Sequence, residues 1–495
     1  MRKIPRVMST QHPDNVSLPF FAETPDMSGE DEIQEAYYAF SHLGCDEQMW
    51  DSEGKEVDDF VVKKLLTRYS HFFKERRLGE DCFLTLRVPN PSVEREEAKI
   101  LVEALESIPR SMDAACLFYG EGCKPPIFEV ILPMTTCARE LNRVYYFYRH
   151  FISEKQYQPI YEGDITLAEW VGEFRPESIQ VIPLFEDIPS MLRAQEILEE
   201  YLQDKDFPYL RVFLARSDPA LNYGSVAAVL ANKLALRRLQ DLASRLGIEI
   251  YPILGAGSPP FRGNLSPATV EQVLREYPCV ETFTVQSAFK YDHPIEEVIS
   301  AIKKIHNFVR YPLEEFDENL ATMTIEKTSE EYQRLIEGLA PLVNRVARDI
   351  PRRRMRKLHV GLFGYSRSLG RVTLPRAIGF CGACYSLGLP PEILGLNALE
   401  PAELSDLRHL YRGLEADLSR ALQYFNFRVL ELLPQEVRQA VIQALEVVNT
   451  LPLEVQPDPV HQEVTSRILS RLRQKDPGNL SDLIVEAAYR RRFLG

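Results

Sequence analysis

Short apolar runs that recur along the chain, each followed by a polar residue, constrain the fold more than any other feature. The clearest four occupy residues 181–185, 212–215, 283–285 and 360–363. Segments of helix length separate them, and apolar runs at such intervals are typical of parallel strands buried on both faces. An α/β barrel carries its active site where such strands end. We therefore predict a TIM-type (β/α)8 barrel, with an open doubly wound sheet as the alternative.

Seven strands can be placed along the chain, whereas the eighth strand of a barrel is less evident. The seven cover residues 83–88, 127–132, 179–184, 210–215, 248–254, 281–285 and 358–363. A short strand near Ile393-Leu394 is the candidate for the eighth. We predict one catalytic domain, residues 1–495, in which residues 1–80 form a leader and helices, residues 81–400 the barrel, and residues 401–495 additional C-terminal helices.

Charge and hydropathy exclude several classes of function. The formal net charge of -14 argues against nucleic acid and against an anionic membrane as partners. No apolar stretch approaches the roughly 20 residues of a membrane span. The basic start of the chain lacks the apolar core of a signal peptide. We therefore expect a cytoplasmic protein.

The eight cysteines are irregularly spaced in a long chain, which indicates reduced thiols rather than a disulfide framework. Cys381 and Cys384 form a CxxC pair, but no second pair or nearby histidines complete a zinc site. We predict that both pack within an apolar helix.

Two carboxylates follow neighbouring predicted strands. Glu186 and Asp218 lie about one βα unit apart, so that both should reach the same end of a barrel. Two hard oxygen ligands with room for water and substrate suit Mg²⁺ or Mn²⁺. The alternative is that each residue only caps the helix that follows it. Their shared position at strand ends favours the metal site.

Glycine-rich loops that carry arginines follow two other predicted strands. The first, at 255–264, contains Arg262; the second, at 364–371, contains Arg367 and Arg371. Glycines let backbone amides approach an anion, and a guanidinium binds phosphate or carboxylate through two N–H groups. The spacing of the first loop matches neither a nucleotide P-loop nor a dinucleotide fingerprint. A tight turn with a surface arginine is the simpler alternative for it.

His12 lies in a polar segment that is fixed by Pro13, and it has the chemistry of a general base near neutral pH. Taken alone, it would more often be an ordinary exposed histidine. The basic run at 352–357 is more typical of a solvated face or a subunit contact. Binding of RNA through this run is disfavoured by the acidic net charge and would show a steep salt dependence.

Five motifs carry a resemblance to a known family. They are residues 10–15, 183–186, 216–220, 261–264 and 283–287. In this order they resemble the phosphoenolpyruvate carboxylases of the short archaeal type, and the resemblance runs from residue 1 to about residue 495. Residues 42–50 also look typical of that type.

This resemblance implies a barrel with extra helices, usually assembled as a homotetramer. It implies the irreversible carboxylation of phosphoenolpyruvate by bicarbonate to oxaloacetate and phosphate, through carboxyphosphate and a metal-stabilised enolate, as a supply of C4 acids. Glu186 and Asp218 are the implied ligands of Mg²⁺ or Mn²⁺. The implied catalytic residues are His12, Arg262 and Arg376. The candidate substrate-binding residues are Arg87, Arg216, Gln286, Arg367 and Arg371.

Three positions depart from the longer enzymes of that family. Leu254 and Ala256 stand where a histidine and an arginine of the glycine-rich loop would be, and Leu221 stands where a lysine would follow the metal-binding aspartate. Phosphate binding would then depend on other arginines. Much of the helical sequence of the longer enzymes is absent, so the resemblance does not carry over inhibition by aspartate or malate.

Two other classes of function remain open at this stage. Another metal-dependent barrel lyase or aldolase acting on 2-oxo acids would need the same carboxylates and an arginine; phosphate release that depends on bicarbonate separates the two activities. A non-catalytic barrel is disfavoured by the joint presence of His12, Glu186, Asp218 and Arg262.

Overall fold

Eight parallel strands close into a barrel in the computed structural model, which describes residues 2–52, 58–354, 367–369, 372–474 and 478–495. The strands are Val7–Ser9 (β1), Glu47–Asp51 (β2), Phe83–Arg87 (β3), Ile127–Leu132 (β4), Gln180–Phe185 (β5), Tyr209–Ala215 (β6), Glu249–Gly255 (β7) and Thr282–Val285 (β8). Each strand pairs with its neighbours in chain order, and β1 closes the ring by pairing in parallel with β8. The predicted barrel is confirmed, and the open-sheet alternative is wrong.

Six of the seven predicted strands are confirmed to within one residue at each end. The seventh, at 358–363, lies outside the described residues. The strands β1 and β2 were not predicted, and they lie in the segment predicted as leader and helices. The eight barrel strands therefore lie between residues 7 and 285 rather than within residues 81–400. The strand β1 has only three residues, and β2 carries the polar residues Glu47, Gln48 and Asp51, so neither strand shows the apolar run of a buried parallel strand.

The prediction of a short strand near Ile393-Leu394 is wrong. Pro391–Ile393 forms a short 3₁₀-helix instead. Pro390 and Pro391 lack the backbone N–H that a strand ladder needs, which the apolar pair by itself does not reveal.

Helices surround the barrel and continue beyond its last strand. The α-helices are Glu30–Tyr38 (α1), Val61–Arg68 (α2), Ser70–Glu75 (α3), Ala98–Tyr119 (α4), Ala138–Phe147 (α5), Leu167–Val171 (α6), Ile188–Leu192 (α7), Ala194–Leu202 (α8), Ser217–Tyr223 (α9), Ser225–Leu246 (α10), Val270–Glu276 (α11), Ser287–Tyr291 (α12), Ile295–Asn307 (α13), Glu318–Ala347 (α14), Ala377–Ser386 (α15), Pro401–Leu410 (α16), Leu414–Leu422 (α17), Gln435–Val448 (α18), Pro459–Leu472 (α19) and Ser481–Arg491 (α20). The π-helical turns are Ala39–Leu43 and Tyr148–Ser153, and the 3₁₀-turns are Arg95–Glu97, Glu154–Tyr157, Pro260–Arg262, Pro391–Ile393, Leu396–Ala398 and Phe427–Glu431. Beyond residue 400, the described residues form helices and loops without a strand, as predicted.

Outside the barrel, Arg367–Leu369 (β9) and Val372–Leu374 (β10) form a small antiparallel sheet. In the described part of the chain, no single helix has the length and apolar composition of a membrane span; α15 meets that criterion only when combined with the segment Pro391–Ala398, across a bend of 100°.

The cysteines behave partly as predicted. Cys381 and Cys384 are buried in α15, and burial raises the pKa of both thiols well above the usual value, as expected for packing residues. Cys116 and Cys123, however, form a disulfide between the end of α4 and the turn that leads to β4. The prediction of reduced thiols is wrong for this pair, which the irregular spacing of the cysteines did not distinguish from the others.

A polar layer fills part of the barrel interior. Its members come one from each even-numbered strand, as expected for a layer of a parallel barrel: Glu47, Glu129, Arg211 and Thr282. The Arg211 guanidinium donates to Glu47 at 2.7 and 2.8 Å and to Glu129 at 2.9 Å. Burial alone would lower the pKa of Arg211, but these two carboxylates raise it above the usual value.

We predict that Arg211→Ala lowers the free energy of unfolding by about 3–5 kcal/mol, because Glu47 and Glu129 would stay buried without their cation. Guanidinium chloride unfolding followed by circular dichroism measures the change. Arg467, which pairs with Glu486 at the surface at 3.2 Å, provides the control. Arg467→Ala should cost only about 0–1 kcal/mol. Equal effects of the two substitutions would contradict the role assigned to the buried layer.

Candidate active site

The carboxyl ends of the barrel strands carry most of the predicted site residues. Thr10 to Asp14 follow β1, and Arg87 ends β3. The carboxylates follow β5 and β6, and Arg262 and Gln286 follow β7 and β8. Because all eight strands are parallel, these side chains lie at the same end of the barrel.

Arg262 is almost fully buried and contacts several distant parts of the chain. Its guanidinium has four acceptors from separate parts of the chain: the Ser217 hydroxyl at 3.1 Å, the Asp14 carboxylate at 3.1 Å, the Gln286 side-chain oxygen at 2.5 Å and the Gly495 backbone oxygen at 2.6 Å. These bonds use four of the roughly five N–H donors of a guanidinium. Two predicted site residues, Arg262 and Gln286, are thus in direct contact.

The glycine-rich loop after β7 has the local geometry that lets Arg262 fold back over it. The Gly257 N–H donates to the Arg262 carbonyl at 2.8 Å. A Cβ atom at Gly257 would lie 2.9 Å from the Arg262 guanidinium carbon, so a larger residue there would displace that group. Gly263, at φ +117°, then turns the chain in the left-handed region that favours glycine.

Asp14 is a site residue to which the sequence analysis assigned no role. Its carboxylate accepts from Arg262 and from the Ala288 N–H, the latter at 2.7 Å. Burial raises the pKa of the Asp14 carboxyl, although the Arg262 guanidinium opposes the rise. Asp14 belongs to the motif at 10–15, which is the signal that would have identified it.

His12 is held by the segment that leaves β1. Its Nδ1 lies 2.9 Å from the Thr10 hydroxyl oxygen. The Thr10 N–H donates to the Val285 carbonyl at 3.0 Å, and the His12 carbonyl accepts from the Ser287 N–H at 3.3 Å. The backbone on both sides of the histidine is therefore tied to the end of β8. Lys290 also holds this segment, because its ammonium group donates to the Thr10 carbonyl at 2.9 Å.

Glu186 and Asp218 follow adjacent strands, since β5 and β6 pair with Phe185 opposite Leu214. Glu186 is buried, and its Oε2 accepts from the Met134 N–H at 2.8 Å. Asp218 lies in the first turn of α9. In the described part of the chain, no three or more histidine, cysteine, aspartate or glutamate side chains form a group suited to a metal.

The two carboxylates fit a hard divalent cation that takes its remaining ligands from water and substrate. Mg²⁺ is typically bound by one or two carboxylates together with water and substrate oxygens, whereas a closed structural site would need more protein ligands. This donor set therefore suits the implied cation at these strand ends.

Arg87 forms an ion pair with Asp51, a residue that was not predicted from the sequence. Its Nε and Nη2 donate to Asp51 at 2.8 and 2.6 Å, which is the two-bond geometry of a strong ion pair. The Asp51 N–H in turn donates to the Gln11 side chain at 3.1 Å. Asp51 ends β2, so it was missed together with that strand.

The other predicted arginines have different surroundings. Arg216 is buried and lines a small space with Tyr277, Tyr411 and Asp417. Its Cγ lies 3.2 Å from the position of a Cβ atom at Gly263, so its side chain packs against the loop that carries Arg262. Arg367 begins β9, outside the barrel, and Arg371 lies outside the described residues. Arg376 occupies the N-cap position of α15.

The basic run at 352–357 is not simply a solvated face. Arg354 is buried and pairs with two glutamates of α1, with Glu32 at 3.1 Å and with Glu35 at 2.6 Å. Burial alone would raise the pKa of Glu35, but Arg354 and Lys290 lower it below the usual range. Residues 355–357 of the run lie outside the described residues.

A cavity of about 490 Å³ lies at the opposite end of the barrel, beside the start of β7. Its lining includes Gly247, Glu249 and Arg310, but none of the predicted site residues. Arg310 is already paired with Glu249 at 3.1 Å and with Glu281 at 3.1 Å. The cavity is therefore separate from the strand ends at which the chemistry is predicted.

A closed parallel barrel that carries a histidine, a buried arginine and two carboxylates at its strand ends is the arrangement expected of an α/β-barrel enzyme. The family model described as "Phosphoenolpyruvate carboxylase" matches residues 4–495. Relatives of that name from Methanothermobacter thermautotrophicus and Methanospirillum hungatei are 54% and 52% identical over 493 and 495 residues. One from Halobacterium salinarum is 48% identical over 499 residues, and in all three alignments 100% of each chain is covered. The chain belongs to the phosphoenolpyruvate carboxylase family.

We predict that Gly495→Ala lowers kcat/KM for phosphoenolpyruvate by about 10-fold or more, because small misplacements at a site are costly. A Cβ atom at this position would lie 2.0 Å from the Ile378 carbonyl oxygen and 2.7 Å from the Gly382 nitrogen. The backbone would have to move, and its bond to Arg262 would be lost. Steady-state kinetics, with thermal unfolding as the control for folding, tests this. A folded variant with the wild-type kcat/KM would contradict it.

Proposed function

We propose that this protein carboxylates phosphoenolpyruvate with bicarbonate, irreversibly, giving oxaloacetate and phosphate. The observation that carries the proposal is the contact set of Arg262. It joins Asp14, two residues after His12, to Gln286 and to Ser217, which precedes Asp218. The Arg262 guanidinium, the segment that carries His12 and the carboxylates of Glu186 and Asp218 therefore lie at the same end of the barrel. The family membership supports this reaction over that of the aldolase-type alternative.

The substrate carries a phosphate and a carboxylate, and the site offers cations for both. We assign anion binding to Arg262 and Arg87, with Gln286 as a neutral partner beside Arg262. Glu186 and Asp218 would hold Mg²⁺ or Mn²⁺. When bound, such a cation would supply Lewis-acid stabilisation of the enolate oxygen, an effect of several kcal/mol.

Arg376 remains a proposed catalytic residue from the family resemblance. Arg216, Arg367 and Arg371 remain proposals for substrate binding on the same basis, with less structural support. The homotetramer and the cytoplasmic location also stay predictions from the resemblance and the sequence.

The proposed reaction has three steps. An oxygen of bicarbonate attacks phosphorus, and the bond from phosphorus to the enol oxygen breaks, giving carboxyphosphate and the enolate of pyruvate. Arg262 stabilises the charge on the moving phosphoryl group. His12 then takes the proton of carboxyphosphate, and the bond between the carboxyl carbon and the bridging oxygen breaks. Its electron pair goes to phosphate, which receives the proton back from His12, and CO₂ is released. The enolate carbon then attacks CO₂ and gives oxaloacetate. The site must exclude water, because a protonated enolate yields only pyruvate.

The test is oxaloacetate formation from phosphoenolpyruvate and bicarbonate, coupled to malate dehydrogenase, with and without Mg²⁺. We expect formation of product that depends on both bicarbonate and the metal. The variant Asp218→Asn should need a higher Mg²⁺ concentration for half-maximal activity, because it offers one charged ligand fewer. No product from the folded protein with either Mg²⁺ or Mn²⁺ would overturn the proposed function, and unchanged metal dependence of the variant would remove Asp218 from the ligand set.

We predict that His12→Asn separates the two halves of the reaction. Bicarbonate-dependent phosphate release should be retained better than oxaloacetate formation, because the histidine acts after the first bond is broken. Both products can be measured in the same reaction mixture, with pyruvate as the third. General acid–base groups typically contribute a factor of about 10²–10⁴ to the rate, so the rate of oxaloacetate formation should decrease by a factor in that range. Equal losses of phosphate release and oxaloacetate formation would refute this role for His12.

A further inference from the structure

We propose that Glu392 is a positioning residue for the reaction, which holds the turn that carries Arg262 and thereby fixes the guanidinium at the strand ends. The residue lies outside the barrel strands and outside the motifs that carry the family resemblance. The inference rests on the proposed function, because carboxylation is its main readout.

The contact is direct and short. Glu392 lies in the 3₁₀-turn Pro391–Ile393, and its Oε1 accepts from the Phe261 N–H at 2.6 Å and from the Tyr385 hydroxyl at 2.6 Å. Phe261 immediately precedes Arg262 in the 3₁₀-turn Pro260–Arg262. The carboxylate therefore binds the backbone of the turn one residue away from the arginine.

The backbone bonds of the turn itself do not satisfy this N–H group. The Arg262 N–H donates to the Pro259 carbonyl at 3.0 Å, and the Gly263 N–H donates to the Pro260 carbonyl at 3.1 Å. Phe261 is fully buried, and a buried N–H group without an acceptor is costly. Glu392 supplies that acceptor from a segment 131 residues further along the chain.

The far side of the loop is held in a similar way. Asn264 has a φ of +56° and donates to the Asp417 carboxylate at 2.5 Å. Asp417 lies in α17, one of the helices that follow the barrel. Buried carboxylates from segments after the barrel thus hold the loop on both sides of Arg262.

Stability alone is a poor explanation for a carboxylate at this position. Glu392 is almost fully buried, and among the described residues its Oε2 has no hydrogen-bond partner. Burial raises the pKa of the Glu392 carboxyl to about 7. Burying a carboxylate without a cation costs free energy, so it contributes little to the stability of a fold. A fixed acceptor for the Phe261 N–H, by contrast, would hold the backbone next to Arg262 and so position its guanidinium.

The experiment compares Glu392→Ala with Glu392→Gln. We expect the alanine variant to lower kcat/KM for phosphoenolpyruvate by about 10- to 100-fold, with a rise in KM, since a displacement of about 1 Å has that effect. The glutamine variant retains an oxygen acceptor for the Phe261 N–H and should recover most of the loss. Steady-state kinetics and the melting temperature are measured for each protein.

Asp46 provides the matched control. It is also a buried carboxylate that accepts a backbone N–H, from Arg6 at 2.9 Å, and it pairs with Lys3 at 2.7 Å; it precedes β2, at the end of the barrel opposite to Arg262. Asp46→Ala should lower the melting temperature but leave kcat/KM and KM near the wild-type values. If kcat/KM falls equally in the alanine variants of Asp46 and Glu392, the role of Glu392 is structural only and the inference is overturned.

Three further outcomes are decisive. If Glu392→Ala does not fold, Glu392→Asp replaces it, because the shorter side chain moves the acceptor away from Phe261; wild-type kinetics in the aspartate variant would overturn the inference. If the wild-type protein forms no oxaloacetate, the proposed function fails and this inference fails with it. An active wild-type protein together with an unaffected alanine variant overturns only the role of Glu392.

Discussion

The pairing of buried arginines is the constraint on which the rest of this structure depends. Removing a charge from water costs several kcal/mol unless a partner and hydrogen bonds compensate for it. Arg211 meets this demand inside the barrel with carboxylates from two other strands. Arg262 meets it at the strand ends, and Arg354 meets it by binding α1. Each guanidinium therefore fixes the relative positions of segments that are far apart in sequence.

The helices after the barrel serve the site as well as the core. Glu392 and Asp417 hold the loop that carries Arg262, and the Leu494 N–H donates to the Asp14 carbonyl at 2.7 Å. The strands of a barrel fix only the two ends of each loop, and loops are the more mobile part of such folds. The additional helical segments supply the outer contacts that a precise site requires.

The sequence predicts the apolar strands of this barrel and not its polar ones. Six strands follow from apolar runs, because burial on both faces requires such runs. The strand β2 escapes this rule, since Glu47 points into a layer where Arg211 compensates its charge. No local pattern can reveal that compensation, because the two residues are 164 positions apart. Separation in sequence also hides the roles of Asp51, which is 36 positions from Arg87, and of Glu392, which is 131 positions from Phe261, whereas Asp14 lies within the motif at 10–15.

Arg262 cannot bind a substrate oxygen through all its N–H groups while it keeps the partners that it has here. Exchange of Gln286 for a substrate oxygen would replace one neutral acceptor and cost about 0.5–1.5 kcal/mol. Exchange of Asp14 would leave a buried carboxylate without its cation, at a cost of about 3–5 kcal/mol. The first exchange is much cheaper, so we expect an anion to bind on the Nη2 side of the guanidinium, which faces Gln286. On this proposal Asp14 would keep its bond to Arg262 throughout the reaction and would hold the segment that carries His12 in place beside the arginine.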